Sequence, residues 1–370
     1  MAAVEFAAGR YVEVATRNAL YGWRVSCTRC MLFTMMSRLD QLPTVPPPIL
    51  RKRGEFAATV VMNQLLCRAH YRLTLRVKNF PPSEPGQFVQ VLCSPATVSE
   101  LSPLAPFAET MELRELSWES GLPPPRFHEP YLLGSQPFLR RPFSLAGRRD
   151  DPTAGYTDID LIYRVIGKAT GRMQALQIGD SISILGPLGK EFPMPADMGL
   201  ALLVGGGVGI PPMIYLAEKL QRLGVKALAF IGAQRADLMP LEITGPVTVD
   251  PTLNVHEFAR YDLPCIVATD DGSLGHKGLV TEALEAYARQ GLGTGGVIFC
   301  CGPTPMMRAT AGVAARVHLP CYVSLEQPMA CGMGTCQSCV IKYRPAGAAD
   351  WVYKLACTDG PVFNAADILW

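Results

Sequence analysis

The apolar positions of this chain follow two different rhythms. Between residues 56 and 91, and again between residues 160 and 188, short apolar or alternating runs are separated by glycine and proline, which is typical of antiparallel strands joined by turns. From residue 200 onward, continuous apolar runs alternate with amphipathic stretches of helical period, as in parallel sheets that carry helices on both faces. The pattern therefore predicts an antiparallel β-barrel followed by a doubly wound parallel sheet.

These rhythms divide the chain into four parts. We predict a barrel domain over residues 51–195, a nucleotide-binding sheet over residues 196–322 and a small cysteine-rich segment over residues 323–370. Residues 1–50 contain several arginines and end in a proline-rich stretch, which indicates a disordered extension or a transit-like segment. Residues 95–137 are rich in proline and glutamate without a clear period, and we interpret them as an insertion in the barrel.

The composition excludes several classes of function. The formal net charge is only +2 over 370 residues and there is no basic run, so a nucleic-acid partner is not expected. No uninterrupted apolar run reaches the ~20 residues that a membrane span needs. Cysteines such as Cys265 and Cys321 lie in apolar, strand-like runs, which suits reduced thiols in the cytoplasm. We therefore expect a cytoplasmic protein with no membrane segment.

Four cysteines near the end of the chain carry the most specific signal. Cys331, Cys336 and Cys339 have the spacing C-x4-C-x2-C, and Cys357 follows after a short excursion. This is the plant-type arrangement that holds a [2Fe–2S] cluster, and the glycines in the loop let its backbone bend closely past inorganic sulfide. A structural zinc site held by four cysteines and four unrelated buried thiols are the alternatives. Zinc sites usually show paired C-x2-C knuckles, and this segment has one such pair.

A glycine-rich loop follows the first strand of the predicted sheet. Gly205, Gly207 and Gly209 belong to the sequence GGGVGIPP, in which glycine lets the backbone approach a pyrophosphate and the next helix offers unpaired N–H groups. Cys301 and Gly302 end a later strand at the carboxyl edge, where open sheets place ligands. Together these features predict a nicotinamide-nucleotide site, NAD or NADP; a plain turn and a buried cysteine are the alternatives.

Several residues of the predicted barrel suit a flavin or a phosphate. Arg141 and Ser144 offer a cation and a hydroxyl, Tyr163 can stack on a ring and Arg164 can pair with phosphate. Thr170 and its neighbouring amides can cap a pyrophosphate. None of these residues is specific alone, because most arginines are simply solvated. Their order and spacing along the chain carry more information than any one of them.

In this order, the motifs resemble those of the electron transfer subunits of NAD-linked (class 1B) dihydroorotate dehydrogenases, which belong to the ferredoxin–NADP reductase superfamily. The resemblance covers residues 56–370 apart from the insertion. It rests on the sequences RPFS, LIYRV, GPLG, GGGVGIPP, ATDDGSLGHKG and CGP, on the cysteine set, and on the closing CTDGPVF. One departure is Ala169, which stands where the family commonly has glycine and would tighten the loop around the FAD pyrophosphate. The others are the insertion and the N-terminal extension.

The resemblance implies three bound groups. FAD would be held by Arg141, Pro142, Phe143, Ser144, Ile162, Tyr163, Arg164, Ala169 and Thr170. NAD would be received by Gly205, Gly207, Gly209, Cys301 and Gly302. A [2Fe–2S] cluster would be ligated by Cys331, Cys336, Cys339 and Cys357.

The resemblance also implies a reaction and a partner. Dihydroorotate would be oxidised at the FMN of a separate catalytic subunit within a heterotetramer, and electrons would pass through the cluster and FAD to NAD⁺ in UMP biosynthesis. No catalytic base for dihydroorotate is then expected in this chain. The rival enzymes are electron-transfer subunits of a sulfide dehydrogenase, a ferredoxin–NADP oxidoreductase or a hydrogenase. A non-enzymatic zinc-binding or redox-sensing module is the rival of a different class.

Overall fold

The computed structural model describes residues 2–6, 10–14, 53–95 and 139–370. Residues 1–50 form a unit separate from residues 51–370. In the smaller unit, strands β1 (Ala2–Phe6) and β2 (Arg10–Val14) pair antiparallel. The other residues of the predicted disordered extension, and nearly all of the predicted insertion, lie outside the described ranges.

Six antiparallel strands form a closed barrel, as the sequence pattern predicts. They are β3 (Gly54–Cys67), β4 (His70–Lys78), β5 (Phe88–Pro95), β6 (Arg141–Asp151), β7 (Tyr156–Arg164) and β8 (Ser181–Leu188), in the order β3-β4-β7-β6-β5-β8. Helix α1 (Lys168–Gln174) follows β7. Because side chains alternate across a strand, Leu161 and Tyr163 point into the barrel core, whereas Ile162 packs outside it against the core of the following domain.

The second half of the chain builds a seven-stranded sheet and a hairpin. The strands are β9 (Leu200–Gly206), β10 (Lys226–Ala233), β11 (Cys265–Thr269), β12 (His276–Lys277), β13 (Gly296–Cys301), β14 (Cys321–Ser324), β15 (Val340–Tyr343), β16 (Val352–Leu355) and β17 (Val362–Asn364). The helices are α2 (Ile210–Leu223), α3 (His256–Ala259), α4 (Val280–Arg289) and α5 (Thr304–Arg316). The sheet order is β12-β11-β10-β9-β13-β14-β17, and β15 pairs with β16. The doubly wound parallel sheet is therefore confirmed, with its edge strand β17 antiparallel.

The strand order reverses at β9, which has β10 on one side and β13 on the other. In open α/β sheets, ligands bind in the crevice outside the carboxyl ends of the strands at such a switch point. The glycine loop leaves β9 at this edge, and helix α2 begins directly after it with Pro211 and Pro212 in its first turn, where a missing N–H costs nothing. The helix ends at Gly224, whose φ of +67° gives the left-handed cap.

The barrel and the sheet are joined by buried polar contacts. Arg72 of β4 donates to Glu257 of α3 at 2.9 Å, and the Glu257 side chain is only 3% exposed. The second carboxylate oxygen of Glu257 accepts the backbone N–H of Glu242 at 3.0 Å. The Tyr215 hydroxyl on α2 donates to the carbonyl of Ser83 at 2.6 Å. These contacts fix the barrel against the sheet.

Replacing Arg72 with leucine is expected to lower the free energy of unfolding by about 3–5 kcal/mol, because Glu257 would remain buried and charged without its partner. Chemical denaturation measures the loss. Arg68→Leu is the matched control, since Arg68 pairs with Asp237 on the surface and such exposed pairs contribute about 1 kcal/mol or less. Equal losses in the two variants would contradict the importance of the Arg72–Glu257 pair.

The cysteine-rich segment is not packed as a separate body. Its strand β17 completes the edge of the parallel sheet by pairing with β14. Cys339, Cys357 and Phe363 share one apolar core with Phe88 of the barrel strand β5. The segment is thus held against both domains. Among the described residues, no helix has the length and apolar character that crossing a bilayer requires.

Candidate functional site

The loop over residues 330–339 brings Cys331 and Cys336 together. The Cys331 sulfur accepts the backbone N–H groups of Met333 and Cys336, each at 3.4 Å. The hydroxyl of Ser338 lies 3.2 Å from the Cys336 sulfur and is the main reason that the pKa of this thiol falls to about 6. Donors aimed at sulfur favour thiolates, the form that binds metal.

Cys339 and Cys357 form a second, buried pair. The backbone N–H of Cys357 donates to the Cys339 sulfur at 3.4 Å, and the two residues are 1% and 2% exposed. Burial raises the pKa of Cys357 to about 12. One pair is therefore screened by protein, while the other includes the exposed Cys336.

Backbone hydrogen bonds thus link Cys331 with Cys336 and Cys339 with Cys357. Within the described residues, no three His, Cys, Asp or Glu side chains are gathered into a group that could hold a single metal ion. A tetrahedral zinc site needs all four ligands at about 2.3 Å from one point, whereas a [2Fe–2S] cluster spreads its four thiolates over two irons. The donor set of four cysteine sulfurs, with backbone N–H groups aimed at Cys331 and Cys339, fits a [2Fe–2S] cluster.

The glycines of the loop have the conformations expected of them. Gly332 has a φ of +70° and Gly334 a φ of +91°, values that disfavour any side chain. An added Cβ at Gly332 would lie 2.8 Å from the side chain of Gln90 on β5, and one at Gly334 would lie 3.1 Å from Thr358. The loop over residues 330–339, which we call the cluster loop, therefore packs closely against the barrel on one side and against the Cys357 turn on the other.

The residues expected to hold FAD begin on β6, beside the strand that contacts the cluster loop. Arg141, Pro142, Phe143 and Ser144 are half-buried and stand opposite residues 88–91 of β5. The Arg141 guanidinium donates to the carbonyl of Leu139 at 2.8 Å, which holds the cation near the barrel end. This strand therefore offers a cation that can pair with phosphate and a hydroxyl that can bond to a flavin.

Tyr163 departs from the sequence-based expectation. Its ring is buried in the barrel, 1% exposed, where it stacks on Tyr71 and its hydroxyl donates to Asn63 at 3.1 Å. The ring therefore cannot stack on a flavin, and the backbone of β7 is what this residue can offer. The neighbouring Arg164 is exposed and remains able to pair with a phosphate.

On helix α1, the side chains of Ala169 and Thr170 also take positions that differ from those expected from the sequence. Ala169 is 8% exposed and packs in the barrel core, so its methyl group does not crowd a pyrophosphate. The Thr170 hydroxyl accepts the N–H of Ile166 at 3.0 Å and donates to the carbonyl of Gly167 at 3.2 Å. This hydroxyl stabilises the start of the helix, which leaves backbone amides as the groups for a phosphate.

The two predicted parts of the nicotinamide site lie side by side. Cys301 stands opposite Gly205 in the parallel register of β13 and β9. A Cβ added to Gly209 would overlap the backbone carbonyl of Cys301. Gly207, with a φ of +55°, has open space around its Cα. The loop therefore combines a close backbone approach with room for a bound group, which fits a dinucleotide.

The Cys301 thiol is 7% exposed, and burial raises its pKa far above neutrality. It can line a pocket but does not supply a thiolate. Glu326, which sequence analysis missed, lies close enough for its charge to raise the pKa of Cys301, and partial burial raises the pKa of its own carboxyl group. Glu326 follows β14, so only the sheet order reveals that it lies near Cys301.

Comparisons with known proteins agree with this arrangement. Residues 326–369 match the family of the iron–sulfur cluster binding domain of dihydroorotate dehydrogenase B. The dihydroorotate dehydrogenase B (NAD(+)) electron transfer subunit of Geobacillus kaustophilus is 39% identical over 245 residues, 65% of this chain and 84% of the relative. That of Geobacillus thermodenitrificans is 33% identical over 320 residues, 85% of this chain and 99% of the relative.

Among solved structures, the NADH-dependent reduced ferredoxin–NADP oxidoreductase is similar in fold. Its TM-score is 0.58 at 24% sequence identity, covering 85% of this chain and 90% of the other. The likeness confirms the predicted order of barrel, parallel sheet and C-terminal segment.

Proposed function

This chain belongs to the family of electron transfer subunits of dihydroorotate dehydrogenase B, and from this premise we propose that it passes electrons from a catalytic subunit to NAD⁺. The family predicted from the sequence motifs is thereby confirmed. The observation that carries the proposal is the neighbourhood of two sites. The cluster loop contacts Gln90 on β5, and β5 pairs with the β6 segment that bears Arg141 and Ser144.

Four thiols would hold the cluster. A [2Fe–2S] cluster takes one electron at a time, FAD stores two, and nicotinamide accepts a hydride. Cys331, Cys336, Cys339 and Cys357 would supply the four thiolates that hold the two irons. The backbone N–H groups that point at Cys331 and Cys339 offset negative charge on these sulfurs.

The barrel and the sheet would position the two nucleotides. Arg141 would neutralise phosphate charge and Ser144 would offer a hydroxyl to the flavin. Backbone groups of β7 and of the start of α1 would contact the rest of FAD. The open Gly207 and the amides at the start of α2 receive the pyrophosphate of NAD. The turn at Cys301 and Gly302, at the carboxyl edge of the sheet, would receive the nicotinamide.

The partner in this proposal is an FMN-containing dihydroorotate dehydrogenase catalytic subunit, assembled with this chain into a heterotetramer. Exposed apolar side chains lie on the loop that bears Cys336 and on the β15–β16 hairpin that follows it, and we call them the cluster-edge patch. Its members are Met333, Val340, Trp351 and Tyr353, between 39% and 63% exposed. Exposed apolar and aromatic side chains of this kind are typical of protein interfaces. Docking there brings the partner's flavin next to the cluster.

Tyr353→Asp is expected to weaken this association by about tenfold or more, because buried aromatic anchors dominate interface energies. Surface plasmon resonance with the catalytic subunit measures it. Leu292→Asp is the control, since Leu292 is similarly exposed at 53% but lies on the loop before β13. An unchanged affinity for Tyr353→Asp, or an equal loss for the control, would move the interface elsewhere.

We place the complex in the cytoplasm, where orotate is made for UMP. In support, all ten cysteines of the described residues are unpaired, as in a reducing compartment.

Co-expression with the catalytic subunit tests the proposed function. The purified complex is expected to contain FMN, FAD and iron, and to reduce NAD⁺ with dihydroorotate, whereas the catalytic subunit alone does not reduce NAD⁺. Stable recovery of this chain with a hydrogenase or a glutamate-synthase-like subunit, and not with the catalytic subunit, would support the rival electron-transfer systems instead.

A further inference from the structure

One buried side-chain amide on the barrel strand β5 has no hydrogen-bond partner among the described residues. Gln90 on β5 is 0% exposed, and neither its Nε2 nor its Oε1 has a hydrogen-bond partner within the described residues. Buried side-chain amides are normally satisfied, because removing one from water without a partner is unfavourable. The amide of Gln90 therefore points to a partner that binds from outside the chain.

The position of Gln90 identifies that partner. On β5, Val89 and Val91 point into the barrel core, so Gln90 points outward, on the same side as Phe88. Phe88 belongs to the same apolar core as Cys339 and Cys357. Nε2 of Gln90 would lie only 2.8 Å from a Cβ added at Gly332, the residue next to Cys331. The amide thus lies against the barrel-facing side of the cluster loop, beside the residue that follows Cys331.

Gln90 also borders the expected flavin site. In the sheet register it stands opposite Pro142 of β6, one of the residues that would hold FAD. Its side chain therefore lies between the strand of the flavin motif and the loop of the cluster ligands. Any contact it makes with the cluster is on the side from which electrons leave for FAD.

We propose that the carboxamide of Gln90 donates a hydrogen bond to a sulfur of the [2Fe–2S] cluster and thereby raises its reduction potential. The inference rests on the proposed function, since it needs the cluster to be present. A donor to sulfur stabilises the reduced cluster more than the oxidised one, because the reduced form carries more negative charge. Gln90 then makes the cluster a better acceptor of electrons from the partner.

A second glutamine on the same segment provides a matched control. Gln87 is also buried, at 4% exposure, but both ends of its amide are paired. Its Nε2 donates to the carbonyl of Gly189 at 2.9 Å, and its Oε1 accepts the N–H of Glu84 at 2.9 Å. Methionine is close to glutamine in size and carries no donor, so Gln90→Met and Gln87→Met separate the two environments.

Redox titration monitored by electron paramagnetic resonance is the main test, with the holoprotein in each form. In Gln90→Met, the ratio of reduced to oxidised cluster at a fixed potential is expected to fall about tenfold, which is 59 mV for a one-electron couple. The FAD potential stays unchanged, and Gln87→Met keeps the wild-type cluster potential. An unchanged cluster potential in Gln90→Met would overturn the inference.

Two further readouts keep the test decisive. In wild-type protein carrying glutamine labelled with ¹⁵N at the side-chain amide, hyperfine spectra of the reduced cluster are expected to show a coupling that is absent from Gln90→Met. If that variant assembles no cluster, Gln90→Asn takes its place in both measurements, with the same two expectations. Identical hyperfine spectra for wild type and variant would refute the hydrogen bond.

The stability of the metal-free protein separates this inference from the proposed function. Without the cluster, Gln90→Met is expected to unfold at a temperature no lower than that of wild type, whereas Gln87→Met unfolds at a lower one. An equal loss in both variants would mean that Gln90 has a partner within the protein, which refutes the inference alone. Wild-type protein that binds flavin but never iron would refute the proposed function.

Discussion

Cys336→Ala is expected to block most electron flow from the catalytic subunit and to leave the flavin reaction largely intact. Cys336 is the exposed cysteine of the first pair, and in the proposed cluster site its removal would leave one of the four thiolates missing. Changes in the surroundings of metal ligands already cost 10–100-fold, so we expect dihydroorotate-dependent reduction of NAD⁺ to fall by more than about a hundredfold. NADH oxidation with a soluble dye needs only FAD and the nucleotide site, and should persist.

Iron analysis and both activities, measured on the same preparations of the complex, test this expectation. Cys67→Ala is the control, because Cys67 is a half-buried thiol on the barrel strand β3. It should retain iron and both activities. Full dihydroorotate-dependent activity in Cys336→Ala would rule out this cysteine as a ligand on the electron path.

The second large effect is expected from Gly209→Ala. The added methyl group would overlap the carbonyl of Cys301, so the glycine loop and the turn at Cys301 must move apart. Both parts of the nicotinamide site then lose their alignment, and a displacement of about 1 Å can cost about a hundredfold in rate. We expect NADH oxidation to collapse in steady-state kinetics, while the cluster and FAD content remain close to wild type.

Gly312→Ala on helix α5 is the matched substitution, because its added Cβ would contact only the flexible end of Arg316, at 3.4 Å. It should keep wild-type kinetics and gain slightly in stability, since alanine favours helix over glycine by about 1 kcal/mol. Wild-type NADH kinetics in Gly209→Ala would contradict the assignment of the nucleotide site to this loop.

Much of the site could be predicted because its chemistry is encoded locally. The spacing of Cys331, Cys336 and Cys339 reflects how one loop wraps a cluster, and that geometry depends little on the rest of the fold. The same holds for the glycine loop, whose closeness to Cys301 follows from the reversal of strand order that alternating strands and helices already suggest.

What sequence could not predict depends on which element covers each face of a strand. Alternation along β7 gives two faces but does not reveal that the face of Tyr163 is the barrel interior. A single polar residue in an apolar strand, as at Gln90, normally indicates a solvent-facing position. Only the packing of the cluster loop over β5 shows that Gln90 is buried. Likewise, the sequence near residues 362–364 does not indicate that they pair with β14 and extend the parallel sheet.

The most direct test of the account is metal analysis and electron paramagnetic resonance of the chain purified with air excluded. If the chain holds a [2Fe–2S] cluster and FAD, we expect about two irons and two acid-labile sulfides per chain together with bound FAD. We also expect a paramagnetic signal that appears when NADH reduces the protein. A colourless preparation without iron, or one in which zinc occupies the four cysteines, would contradict the central claim that these thiols carry electrons to the flavin.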